Sequence, residues 1–374
     1  MIKKTRANYL TSNIVLVIMF ILLMLVLAAE GNNIIIFSYI GFSVFFILLQ
    51  YDSFLKYRKL SYLVWVSSVL VVSFDLILDL GVGYLTAFNV FLSVFVSYFF
   101  IFNQASLRFF YFLFYITVFY ICIYFFVFKS DVFIGSRNTV SVLLISLTVI
   151  IAFIKHKNLD RYPIIPIIIT LLLSLASTGR SGIIASLLPI AVIIFSITQT
   201  KILHLKNIIL ALFILILLLI MHNEILQFIT EGFSRLMRKS ILSEDRFYIW
   251  MQYIDNITLR SFFTGVNLKN EIPELYDYNF NLHSFYFTLH RVFGFLSLIM
   301  IYFILAYLWK LFKNKDYIFA SIILSLLVRL STDSSFRGIA FFVFMLILYE
   351  GCNRIYIKIK HFKSRGNLNE VSEN

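Results

Sequence analysis

Apolar runs of roughly 15 to 22 residues recur from one end of this chain to the other, and nothing else in it limits the fold as tightly. A helix rises about 1.5 Å per residue, so such runs suit a hydrocarbon layer about 30 Å thick. About twelve can be counted, at residues 14–29, 34–49, 61–78, 84–102, 109–128, 139–154, 162–176, 182–198, 208–221, 292–309, 317–330 and 338–349. The expected fold is an all-α polytopic integral membrane protein with about 12 transmembrane helices and one large outer loop containing short helices. Residues 1–221 hold spans 1–9 in this reading, 222–283 the outer loop, 284–352 spans 10–12, and 353–374 a basic cytoplasmic tail.

Composition agrees. Of 374 residues 61% are hydrophobic and 14% charged, against about a quarter charged in soluble domains. The formal charge of +13 raises the question of nucleic acid. Its Lys and Arg, however, lie in short joints between apolar runs and not on one basic face, so lipid is the expected partner and nucleic acid is not. Cytoplasmic joints carry the excess of Lys and Arg. With the N-terminus inside, the basic clusters at Lys3 to Arg6, Lys56 to Lys59, Lys155 to Arg161 and Lys310 to Lys315 all fall inside, and so does the tail from Arg354 to Arg365. The joints at 30–33 and 79–83 contain no Lys or Arg, so both termini are expected in the cytoplasm. No cleavable signal peptide is expected, and Cys122 and Cys352 fall on different sides of this topology, where they make neither a disulfide nor a metal site.

Against that charge bias, Arg180, Arg329 and Arg337 sit at or just inside the outer ends of their spans. Charges at such depth usually face a protein interior or a watery cavity. Snorkelling, or a local pair of Arg329 with Asp333 at i, i+4, is the competing reading. Arg180 lies in the turn Ser177-Thr178-Gly179-Arg180-Ser181-Gly182. Its glycines and hydroxyls beside a guanidinium suit phosphate oxygens, although Gly and Ser also mark plain helix-to-helix turns.

Within the outer loop, Ser243-Glu244-Asp245-Arg246 reads as a helix start, with the helix running to about Asn256. Arg246, Trp250 and Tyr253 share a face at i, i+4 and i+7. They can clamp a phosphate and stack on sugar, or equally lie at lipid headgroup level. The loop closes on Asn281-Leu282-His283-Ser284. His283, where the chain re-enters the membrane, is the expected proton-transfer residue, with His290 one face-repeat later as a second candidate. A capping or interfacial histidine is the alternative. No outer pair has metal-ligand spacing and no Gly-x-Ser-x-Gly elbow occurs, so neither metal nor acyl-enzyme is expected.

These pieces together resemble the O-antigen polymerase and O-antigen ligase superfamily of bacterial envelope glycosyltransferases. The resemblance covers residues 164–311 and is carried by the Arg turn from Ser177 to Gly182, the loop opening Arg246-Phe247-Tyr248-Ile249-Trp250, the turn at Gly265, and His283-Ser284 ahead of Gly294. The chain departs from the family in having one glycine at the loop turn, serine after His283, and no second glycine near Gly294. The resemblance implies a bacterial inner-membrane enzyme whose periplasmic site needs no metal or cofactor. Arg180, Arg246 and His283 are then catalytic, while Ser181, Trp250, Tyr253, Arg329, Arg337 and His290 bind substrate. It also implies a donor and an acceptor that are oligosaccharides on undecaprenyl pyrophosphate, and a chain-length regulator as a candidate protein partner. Loose motif spelling favours the polymerase; a ligase transferring the glycan to lipid A-core is the nearest alternative. A lipid-linked oligosaccharide flippase fits less well, because the charges gather at one face and the halves do not repeat.

Overall fold

In a computed structural model of the chain, the described residues are 107–123, 138–159, 162–177, 180–199, 244–278, 280–332 and 339–352, with scattered positions between 14 and 48, Val96, Ser97 and Phe125. The expected spans at 61–78 and 208–221, all of 84–102 but Val96 and Ser97, the basic tail, Ser243 and Arg337 lie outside them, and the side chain of Arg180 does too.

Among the described residues every regular element is helical. The upstream bundle consists of α1 (Leu107–Cys122), α2 (Asn138–Leu159), α3 (Ile164–Ala176) and α4 (Arg180–Gln199). The cap that follows comprises α5 (Glu244–Asp255), α6 (Leu259–Thr264) and α7 (Leu268–Glu271), then a 3-10 turn at Pro273–Tyr278. The chain returns through α8 (Phe285–Phe293), α9 (Leu296–Lys313), α10 (Tyr317–Ser331) and α11 (Ile339–Cys352).

Only α2, over Thr139–His156, and α9, over Leu296–Lys313, are long and apolar enough among the described residues to cross a membrane unaided. Leu107–Cys122, Ile164–Ala176, Ser181–Ser196, Tyr317–Ser331 and Ile339–Cys352 are apolar but shorter. The count of about twelve spans expected from the sequence is not confirmed by the described helices, since most of the expected spans at 14–29, 34–49, 61–78, 84–102 and 208–221 falls outside them.

Helix α2 is apolar on all sides, and 83% of its apolar stretch is buried, as expected of a helix with no polar face. It packs against α1, α3, α4 and α10, and α10 in turn lies mainly against α4. Helices α2 and α10 run antiparallel and are pinned at both ends. At one, Arg329 Nε donates to Ser141 Oγ at 2.8 Å. At the other, His156 Nε2 lies 3.1 Å from Asp316 Oδ2, and the Tyr162 hydroxyl donates to Asp316 Oδ1 at 2.8 Å. In α3 the prolines cost little, because Pro163 precedes the helix and Pro166 sits in the first turn, where N–H groups have no helical partner. Pro189 in the middle of α4 does remove one helical hydrogen bond.

The run expected as a single span from Val292 is broken. Gly294 ends α8 with φ 52°, its N–H donating to the His290 carbonyl at 2.7 Å, and α9 starts afresh at Leu296. A Cβ at Gly294 would overlap the Phe263 carbonyl, and one at Gly265 (φ 96°) would overlap the Arg291 carbonyl. The two glycine turns thus cross backbone against backbone, helped by the Phe295 N–H donating to Phe263 O at 3.3 Å. Only glycine meets both the positive φ and the close approach.

The cap has a core of its own, made by Ile249, Tyr253, Val266, Leu268, Ile272, Leu275 and Leu282. Thr258 and Ser261 form a reciprocal capping box on α6, and Asn267 Oδ1 accepts from the N–H groups of Lys269 and Asn270 at the start of α7.

Candidate functional site

The bundle end that faces the cap is built around Arg329. Its side chain is completely buried in an apolar helix, so it does not snorkel. Nε donates to Ser141 Oγ, and Nη1 donates to Thr332 Oγ1 at 3.3 Å. Gly182 makes room for this pair: a Cβ there would overlap the Ser141 side chain and stand 3.9 Å from Arg329 Nε. Arg180 opens α4 two residues before that glycine, and Ser181 is half-buried in the same turn. The turn expected to bind phosphate and buried Arg329 therefore share one neighbourhood. Ser177, at the end of α3, is buried, its hydroxyl donating to the Ser174 carbonyl at 3.0 Å.

Helix α8 joins the same place. The Tyr286 hydroxyl donates to the Leu327 carbonyl at 2.9 Å, two residues before Arg329. Three residues upstream, His283 is half-buried and held in the left-handed region at φ 47°, with its N–H on Asn281 Oδ1 at 2.9 Å. Asn-type turns support that conformation without glycine. The loop's last turn, where proton transfer was expected, is thereby tied to the Arg329 end of α10.

A second cluster lies between the cap and α8. The Tyr253 hydroxyl and His290 Nδ1 are 2.8 Å apart, and His290 Nε2 is 3.1 Å from the Phe262 carbonyl. A carbonyl only accepts, so Nε2 carries the proton and Nδ1 accepts from the tyrosine. Burial holds His290 below its ordinary 6.5 against the opposing pull of the Phe262 carbonyl, and burial raises the Tyr253 phenol. Both groups stay neutral near pH 7.

Helix α5 runs close to the span expected from its acidic start. Its expected ligand face is occupied differently. Tyr253 is fully buried and offers no open ring face; its ring centroid lies 5.3 Å from that of Phe287. Trp250 is half-buried and donates its indole N–H to the Leu282 carbonyl at 2.9 Å, while Arg246, one turn earlier, is half-buried. In this structure Trp250 and Tyr253 fasten α5 to the loop's exit, because cap core and α8 close over them. His290 likewise has both ring nitrogens engaged inside the protein. Sequence reasoning missed Ser141 and Thr332 as partners of Arg329. Hydroxyls near span ends are too common to signal a contact 188 positions away.

Among the described residues no three His, Cys, Asp or Glu side chains gather closely enough to hold a metal ion. No protein-family model matches the chain, and no curated protein or solved structure matches it either.

Proposed function

We propose that the chain is a membrane-embedded glycosyltransferase joining oligosaccharide repeat units carried on undecaprenyl pyrophosphate at the outer face of the bacterial inner membrane. The observation that carries this reading is the convergence at one bundle end of buried Arg329, the α4 start bearing Arg180, and the α8 approach bearing His283. A permanently charged guanidinium at such depth usually faces a protein interior or a watery cavity and marks a functional site. A diphosphate leaving group is an apt partner, since fixed N–H donors stabilise its developing charge without a metal. Membrane embedding draws on α9, whose apolar stretch is only 28% buried and exposes Tyr302, Leu305 and Trp309.

In the proposed reaction an acceptor hydroxyl attacks the anomeric carbon and gives its proton to His283. The bond from that carbon to the phosphate oxygen breaks, and its electron pair leaves on the diphosphate. Arg180, Arg329 and Arg246 receive that charge, and direct displacement inverts the anomeric centre.

Gene deletion followed by a gel of envelope polysaccharide tests the class. Single-repeat caps on the core are expected; an unchanged polymer ladder overturns the reading. Free lipid-linked polymer would indicate a ligase, and intermediates trapped on the inner leaflet a flippase.

A further inference from the structure

We propose that the polar cleft between α6 and α7 is a saccharide subsite that holds hydroxyl-rich sugars of the growing chain. The inference rests on the function proposed above and adds a place and a recognition chemistry to it.

The cleft encloses about 500 Å³ and is lined by Asn256, Thr258, Arg260, Ser261, Asn270 and Glu271 among others. That volume lies within the range of roughly 300 to 1,000 Å³ usual for small-molecule sites. Such sites are mostly apolar and aromatic, whereas this one has no aromatic or aliphatic side chain in its wall. An isoprenoid tail finds nothing there, and a ligand dense in hydroxyls finds donors and acceptors throughout.

The floor is rigid. Ser261 and Asn267 are buried and held by their capping bonds, and Glu271 Oε1 accepts from the Asn267 N–H at 3.3 Å. The rim is open. Arg260 and Asn270 are exposed, and neither side chain hydrogen-bonds another described residue. A planar guanidinium fork and a carboxamide are each suited to pairs of adjacent hydroxyls. Arg260 and Glu271 balance in charge, which favours sugar over free phosphate.

Position adds the remaining support. Ser261 and Gly265 line the cleft, while Phe262 between them holds His290 and Gly265 is locked against Arg291. A sugar bound there is therefore in fixed register with α8, the helix that follows His283.

The test uses the full chain in lipid nanodiscs, with oligosaccharide released by mild acid from the producing cell's own envelope polymer as the probe. Saturation-transfer NMR and titration should show binding by the wild type, and at least a tenfold weaker affinity in Arg260→Ala and in Asn270→Ala. Both residues are exposed, so unfolding midpoints should match the wild type. Equal affinity in both variants, or no binding by the wild type, overturns the subsite. Either result leaves the proposed function to the deletion experiment, which makes no use of these residues.

Discussion

Two buried polar clusters, each tied to α8, obey different rules. Between the cap and α8, Tyr253, His290 and the Phe262 carbonyl form a neutral chain in which each hydrogen bond answers a need created by burial. In the bundle, the Arg329 guanidinium lies among apolar helices with the Ser141 and Thr332 hydroxyls among its partners. The first arrangement is what a stable fold selects. The second brings a permanent charge into an apolar interior, at a desolvation cost that its hydrogen bonds must offset. The neutral chain serves stability; on the function proposed above, the charged side chain serves the substrate.

The sharpest way to break that contrast is Arg329→Met. Transfer activity should fall on the order of a hundredfold or more at equal folded protein; a folded, fully active variant would remove Arg329 from the site. Next in size is Gly294→Ala, which forces a Cβ against the Phe263 carbonyl at a positive φ. It should cost at least about 2 kcal/mol in denaturant unfolding, and wild-type stability would mean that the crossing is not tight. Tyr253→Phe leaves buried His290 Nδ1 without its donor and should cost about 1–3 kcal/mol, with little change in activity at equal folded protein.

A pH series sharpens the cap side. His290 titrates lower in the folded chain than its ordinary 6.5, so the unfolded chain binds the extra proton first. The stabilisation is complete above 6.5 and fades as pH falls from there through the depressed folded value. The thermal midpoint should drop over that interval, and His290→Gln should flatten the drop; identical slopes would show that His290 does not contribute. Smallest of all, Tyr302→Ala on the exposed face of α9 should change unfolding by no more than about 0.5 kcal/mol. A larger loss would reveal a protein neighbour on that face.

Elements defined by local chemistry were legible beforehand. Acidic first-turn residues marked the start of α5, and unbroken apolar runs marked α2 and α10 within a few residues. The break at Gly294 was not, since Val-Phe-Gly-Phe-Leu stays apolar across it and only the Phe263 backbone, thirty-one positions upstream, makes a stop necessary. Arg329 was legible as an exception to the charge bias but not as a buried residue, because depth depends on what α2 and α4 place around it. Trp250 and Tyr253 were legible as one helix face. Whether that face meets sugar, lipid or the protein's own α8 is decided by tertiary packing, and here it meets α8.

The meeting of Gly265 and Gly294 has a mechanical consequence. Main chain against main chain leaves no flexible side arm between the cap and α9, so there is no slack in the joint. On the membrane reading proposed above, a bilayer of different thickness that tilts α9 would swing the cap with it. The pose of the outer loop would then report the lipid in which the protein sits.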